Sequence, residues 1–419
     1  MLSTTAILRR AIPLAPILLG LTVTAPSIAD PPDKTNSYQV QNLVSLAPPA
    51  GTIAAPHHDV NLQNGWGIVF NPTGPVWVSD NGTGKSTLYD GNGVPFPSTV
   101  PPGPLVVTIP AASGKPADTG TPTGIAFNAS NDFVVPTTPN PPVSGRSVFL
   151  WASEDGAISG WAPNVNGTVA QTALVANAVY KGIAIAGDGS SGHFRLYAAD
   201  FVGKKIDVYD DKFKPVVMPG AFVDPTIPND FGPFNILNIQ GNLYVSYAKT
   251  QPNSHDEAHG PGLGFVNVFD ADGNLLMRLA SRGKLNAPWG MALAPEGFGS
   301  FSHDILVGNF GDGTINAFDP HDGHFDGQLK TPDGKTLVID GLWGIAFGNG
   351  ILNQQTDTLF FAAGPSDEND GLYGRIDLVP PTKGENDDGQ GDNNNNQGDN
   401  NNQGSNSQGG NSQGKNKKH

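Results

Sequence analysis

The chain has 419 residues with no cysteine, 54 glycines and 37 prolines, and a formal charge of −15. The lack of cysteine excludes disulfides, thiolate metal sites and a cysteine nucleophile, and abundant Gly and Pro suit many short strands joined by tight turns better than long helices. Residues 30–380 hold 17 basic and 33 acidic side chains, a net −16, which excludes the basic footprint of a nucleic-acid binder and docking on anionic membranes but leaves cationic or neutral ligands open.

In chain order the first element is an export signal over residues 1–29. Arg9 and Arg10 precede an uncharged, mostly apolar stretch from Ala11 to Thr24. Ser27-Ile28-Ala29 then places small residues at −3 and −1 of a cleavage site before Asp30. The alternative, an uncleaved anchor, is opposed by the short apolar run, broken at Pro13 and Pro16. Export to the periplasm or the extracellular space is expected, with no transmembrane segment after cleavage.

A spare strand at residues 38–46 follows, then a connector containing His57, His58 and Asp59, and then a repeat. Trp66-Gly67-Ile68-Val69-Phe70 returns as Thr123-Gly124-Ile125-Ala126-Phe127, Lys181-Gly182-Ile183-Ala184-Ile185 and Phe234-Asn235-Ile236-Leu237-Asn238. The last two copies are Trp289-Gly290-Met291-Ala292-Leu293 and Trp343-Gly344-Ile345-Ala346-Phe347. The second residues of these copies are 57, 58, 53, 55 and 54 positions apart. Each copy leads into a second apolar strand (Val76-Trp77-Val78 in the first), a Gly/Asp/Asn turn, and a third strand such as Lys205-Ile206-Asp207-Val208-Tyr209. Alternation over such short runs is the strand period. Fourth strands are weaker, and the second unit carries a proline-rich insert over residues 135–146. The sixth unit lacks a fourth strand, which residues 38–46 can supply. The expected fold is all-β: a six-bladed β-propeller of four-stranded antiparallel blades over residues 30–380, closed by an N-terminal strand in the last blade. Residues 381–419 contain no aliphatic or aromatic side chain and read as a disordered Asn/Gln/Gly-rich tail, either a tether or spacer or a low-complexity extension.

The segment Asn309-Phe310-Gly311-Asp312-Gly313-Thr314-Ile315-Asn316-Ala317-Phe318-Asp319 resembles NHL-type propeller repeats. The segments Asp59-Val60-Asn61-Leu62-Gln63-Asn64-Gly65-Trp66-Gly67-Ile68 and Glu154-Asp155-Gly156-Ala157-Ile158-Ser159-Gly160-Trp161 are similar to an uncharacterised family of exported bacterial propeller proteins. Some of its members end in a PEP-CTERM sorting segment. This chain has no apolar C-terminal helix, so the resemblance implies the fold and not that anchoring. It implies no catalytic residues.

In a propeller the loops entering the first strands and those joining strands two and three share one face, where ligands usually bind. Trp66, Lys181, Phe234, Asn235, Trp289 and Trp343 are the candidate ligand-binding residues there. The aromatic ones can stack on a sugar or an apolar ligand, or serve as packing wedges. His255, Asp256, Glu257 and His259 form a metal-capable loop in the fourth unit. The oxygen-bearing residues Asp80, Asn81, Glu154, Asp155, Asp200, Asn309, Asp312, Asp367, Glu368 and Asp370 suit Asx turns or a calcium ion. A divalent ion is the one cofactor this leaves open. The expected function is binding or interaction, with a small molecule, glycan or protein as partner and the chain a monomer. The alternative is a metal-dependent, lactonase-like hydrolase with Asn235 as the principal ion ligand in the channel. A quinoprotein-like or lyase propeller ranks below both, for want of a basic cofactor pocket.

Overall fold

Each repeat folds on itself because its apolar residues alternate between two faces and its Gly-rich turns reverse the chain. The computed structural model describes residues 37–379 except 49, 98–102, 116, 137–142 and 190–191. The expected signal and tail, and the tip of the proline-rich insert, lie outside the described residues. Blade 1 pairs Gly65–Phe70, Val76–Asp80, Lys85–Tyr89 and Val106–Thr108 in sequence order. Blade 2 uses Pro122–Phe127, Phe149–Ser153, Ala157–Trp161 and Gln171–Val175, with the insert forming a side hairpin of Val134–Pro136 and Ser144–Arg146. Blade 3 has three strands among the described residues, Tyr180–Gly187, Phe194–Asp200 and Lys205–Tyr209. The expected fourth is reduced to one bridge from Tyr209 to Pro215; prolines at 215, 219 and 225 remove ladder donors there. Blades 4 and 5 are built on Phe231–Ile239 and Pro288–Leu293 as inner strands.

Blade 6 joins the two ends of the described chain. Leu342–Phe347, Leu359–Ala363 and Leu372–Val379 are completed by Ser37–Leu46, antiparallel to Leu372–Val379 with Val40 opposite Ile376. His57–Asp59 adds a short fifth strand parallel to Val44–Leu46. Tyr38 then reaches outside its own sheet, its hydroxyl donating to the Phe298 carbonyl of blade 5 at 2.9 Å.

The glycine of the repeat is explained by how closely the inner strands approach. A Cβ on Gly67 would lie 2.6 Å from the Thr123 carbonyl oxygen, on Gly290 2.4 Å from that of Trp343, and on Gly344 2.5 Å from that of Trp66. Gly124 and Gly182 are pressed against the next inner strand in the same way. Contacts thus run from each blade to the next and close from blade 6 onto blade 1. Blade 4 is the exception, with Asn235 in the glycine position. Its amide donates to the Trp289 carbonyl at 2.9 Å, the equivalent of the carbonyl a Cβ would strike elsewhere. Between blades the outer faces interlock, as where Trp77 of blade 1 stacks on Phe149 of blade 2 at 4.2 Å.

Candidate functional site

In every inner strand the pairing register slips at the residues just before or at the repeat glycine or Asn235. Such bulges turn a side chain out of the regular alternation. Here they gather Trp66, Phe234, Trp289 and Trp343 into one buried cluster with Phe201 and Phe310 beside it. Trp66 stacks on Trp343 at 3.6 Å between ring centroids, Trp343 stacks on Phe310 at 3.8 Å, and Trp289 meets both Trp66 and Trp343 edge-on. The rings therefore spend their faces on one another across the channel, and the wedge-like packing role fits them better than an open stacking platform. Trp289 Nε1 donates to the Lys181 carbonyl at 3.0 Å and Trp343 Nε1 to Asn64 Oδ1 at 3.1 Å, locking blades 5 and 6 to blades 3 and 1. Asn235 accepts from the Ile236 backbone N–H as well as donating to Trp289, so its amide is committed to the backbone in both directions.

Lys181, the one charged residue at these six positions, lies above this plug. Its ammonium sits 4.9 Å over the Trp66 ring and donates to Glu154 Oε1 at 2.6 Å. Only 2% of its side chain is exposed, against 23% for Glu154. Burial opposes its charge, yet the surrounding carboxylates of Glu154, Glu257 and Asp256 outweigh burial and hold it above the ordinary lysine value. Lys181 is a fixed cation rather than a nucleophilic amine.

Around it the loops of one face converge. Glu154 follows the second strand of blade 2 and accepts from Asn81 Nδ2 at 3.0 Å, while Asn64 Nδ2 donates to Asn81 Oδ1 at 3.4 Å. Glu257, buried, comes from the long loop of blade 4 and pairs with His259 at 3.2 Å. His259 is held above its ordinary value, first by that hydrogen bond and against partial burial; its ring packs edge-on to Phe310. Glu368 lies on the turn between the second and third strands of blade 6, in a run with Ser366 and Asp367 where all three φ angles are positive, 59°, 52° and 64°. L-residues pay for that conformation, and such strain gathers at functional sites. Burial, then the charge of Glu257, pushes the Glu368 carboxyl up to about 7, with Lys181 pulling the other way.

Of the metal-capable loop, Glu257 and His259 thus belong to this cluster. Asp256 is exposed, accepts from the Ser254 hydroxyl and acts on Lys181 through its charge. His255 is exposed and lines a separate depression with Val202 and Lys204. His57 and His58 do not join them: His58 pairs with Ser45 Oγ at 3.0 Å, and Asp59 accepts from the Tyr89 hydroxyl at 3.1 Å. Among the described residues, three metal-capable side chains come within 4.8 Å of one another at Asp132, His193 and Asp211, at the strand ends away from Lys181. In the sequence Glu154, Glu368 and Asn81 carried only the signal of oxygen-bearing turns, and Asn64 carried none. Asp200 and Asn309 do serve as turn groups: Asp200 Oδ1, for example, accepts from the Val179 and Gly203 N–H groups, whereas Asp80 is buried and accepts from the Thr87 hydroxyl on the neighbouring strand at 3.2 Å.

The opposite end of the channel is different in kind. The inner strands beyond the glycines line an open-mouthed apolar space of about 300 Å³ that ends at Trp289 and Asn235.

No known family profile matches the chain. It is similar to two uncharacterised proteins of Acanthamoeba polyphaga mimivirus. One is 35% identical over 78% of this chain and 77% of its own length, the other 36% identical over 77% and 82%. Among solved structures, a streptogramin B lyase aligns with a TM-score of 0.47 at 13% identity, over 82% of this chain and 98% of that one. An auxiliary nutrient binding protein from Bacteroides thetaiotaomicron aligns at 0.49 and 10%, over 81% and 76%.

Proposed function

This chain belongs to the same family as the two uncharacterised mimivirus proteins, a family of β-propellers, and on that footing we propose that it is an exported binding module. Its ligand is a small molecule bearing an amine or other cationic group, taken at the face where Glu154, Glu257 and Glu368 surround Lys181. The observation that carries this reading is the surplus of carboxylate: three glutamates share one lysine and a histidine above an aromatic floor. In a domain near −16 the field favours cations over anions. The export part rests on residues 1–29 alone. Amino-terminal sequencing of protein secreted by an expressing cell should start at Asp30, and a retained Met1 would refute cleavage.

The binding part is tested by calorimetry with putrescine, glucose and gluconate. Putrescine should bind and release a proton near pH 7, because an added cation lowers the Glu368 carboxyl; Glu257→Gln should weaken it about tenfold, a difference of ~1.4 kcal/mol. Binding of gluconate or glucose without putrescine, or of none of the three, would sink the reading.

A second reading, a hydrolase, is favoured by one observation. Glu368 near 7 beside the other glutamates is the arrangement in which one carboxyl can donate a proton while another stays ionised. A metal-dependent form of it would need an ion to compete with Lys181 for Glu154, since the Asn235 amide is already engaged. Elemental analysis showing one divalent ion per chain would support the metal-dependent form.

A further inference from the structure

We propose that the apolar end of the central channel is a second binding site, for an uncharged lipophilic molecule. It lies at the end of the inner strands away from Lys181 and does not depend on the charged site. The space of about 300 Å³ is walled by Ile68, Val69, Phe70, Leu237, Leu293 and Phe347, all only partly buried by the protein itself. A cavity of ~150 Å³ with such walls is enough to hold benzene, so this one accommodates a larger ring system or a folded alkyl chain.

The lining selects for neutrality. It contains no charged residue, although the domain around it is strongly acidic. Its two polar side chains are both spent on the backbone: Asn235 as described, and Asn238 by donating to the Ile185 carbonyl at 2.9 Å and accepting from the Gly241 N–H at 2.8 Å. A charged ligand would lose its water there and find no oppositely charged side chain in return. An apolar one removes exposed carbon from water on both sides. The apolar wall also continues outward, through Phe127, Ile185 and Phe194 of blades 2 and 3, so the entrance is of the same character as the interior. Trp289 closes the inner end, its N–H held by the Lys181 carbonyl.

The test uses the full chain and two fluorescent probes of similar shape, neutral N-phenyl-1-naphthylamine and anionic 1-anilinonaphthalene-8-sulfonate. The neutral probe should bind saturably at one site per chain, be displaced by dodecanol, and bind at least about tenfold more tightly than the sulfonate. Ala346→Trp, which fills the channel, should abolish it. Equal binding of the two probes, no saturable binding, or unchanged binding by a folded Ala346→Trp protein would overturn the proposal. Should that variant not fold, photolabelling of the unaltered chain with a diazirine-bearing aliphatic alcohol decides the matter. Adducts on Gly65–Phe70, Phe231–Ile239, Pro288–Leu293 or Leu342–Phe347 support the site, and adducts elsewhere alone, or none, refute it.

Discussion

Two side chains govern the charged site, Lys181 and Glu368. Lys181 neutralises carboxylates that would otherwise repel one another in a partly desolvated place. Lys181→Met keeps the length and the contact with Trp66 but leaves those charges unbalanced. It should cost about 3 kcal/mol at neutral pH and less at pH 4, where Glu368 is protonated; chemical denaturation at the two pH values measures the difference. Glu368 behaves in the opposite sense to most surface carboxylates. Its folded-state value, about 7 against 4.5, means the folded protein holds a proton the unfolded chain releases. The resulting stabilisation is fully present below pH 4.5 and is lost as the pH rises through 7. Glu368→Gln should therefore match the parent protein in the acid range and exceed it in melting temperature at pH 8. A variant less stable than the parent at pH 8 would contradict the placement of that carboxyl.

The inner strand is the element on which the architecture turns. Its bulge brings one side chain into the channel, and its glycine lets the neighbouring blade approach. Gly290→Ala drives a Cβ to within 2.4 Å of the Trp343 carbonyl oxygen; backbone cannot yield as a side-chain tip can, and the expected cost is on the order of 2–3 kcal/mol. Gly167→Ala, where a Cβ meets nothing within 4 Å, should be close to neutral. Similar unfolding midpoints for the two variants would show that the inner strands are less tightly pressed than described. The same logic explains blade 4, where an amide takes the glycine position and makes a hydrogen bond to the carbonyl facing it.

At the scale of the whole molecule, the ring is held by the strand from its start. Ser37–Leu46 pairs along the length of Leu372–Val379, and Tyr38 packs on Phe298 at 4.9 Å between ring centroids and bonds to its carbonyl in blade 5. A chain beginning at Ala47 would expose Leu372–Val379 as an edge and uncover the Tyr38 socket. It should melt at a lower temperature and associate in a concentration-dependent way, which light scattering during heating would reveal. Unchanged melting and no association would mean that the remaining blades close without this strand.

The sequence by itself determined the number of blades, their inner strands and the strand that seals the last one. Those features are periodic or alternating, and a repeated apolar strand can satisfy its backbone in few other ways. It also marked Trp66, Lys181, Phe234, Trp289 and Trp343 as a set, because they share one place in the repeat. What it left open was the use of that set. Four aromatics at equivalent positions are as consistent with a stacking platform as with a plug, and only the ring geometry, which packs them against one another face-to-face and edge-on, decides between them. Glu154, Glu257 and Glu368 come from three different blades at unrelated spacings, so no local pattern ties them to Lys181. Their meeting follows from the circular arrangement alone, and so do the burial and the nearby Glu257 charge that raise the Glu368 carboxyl.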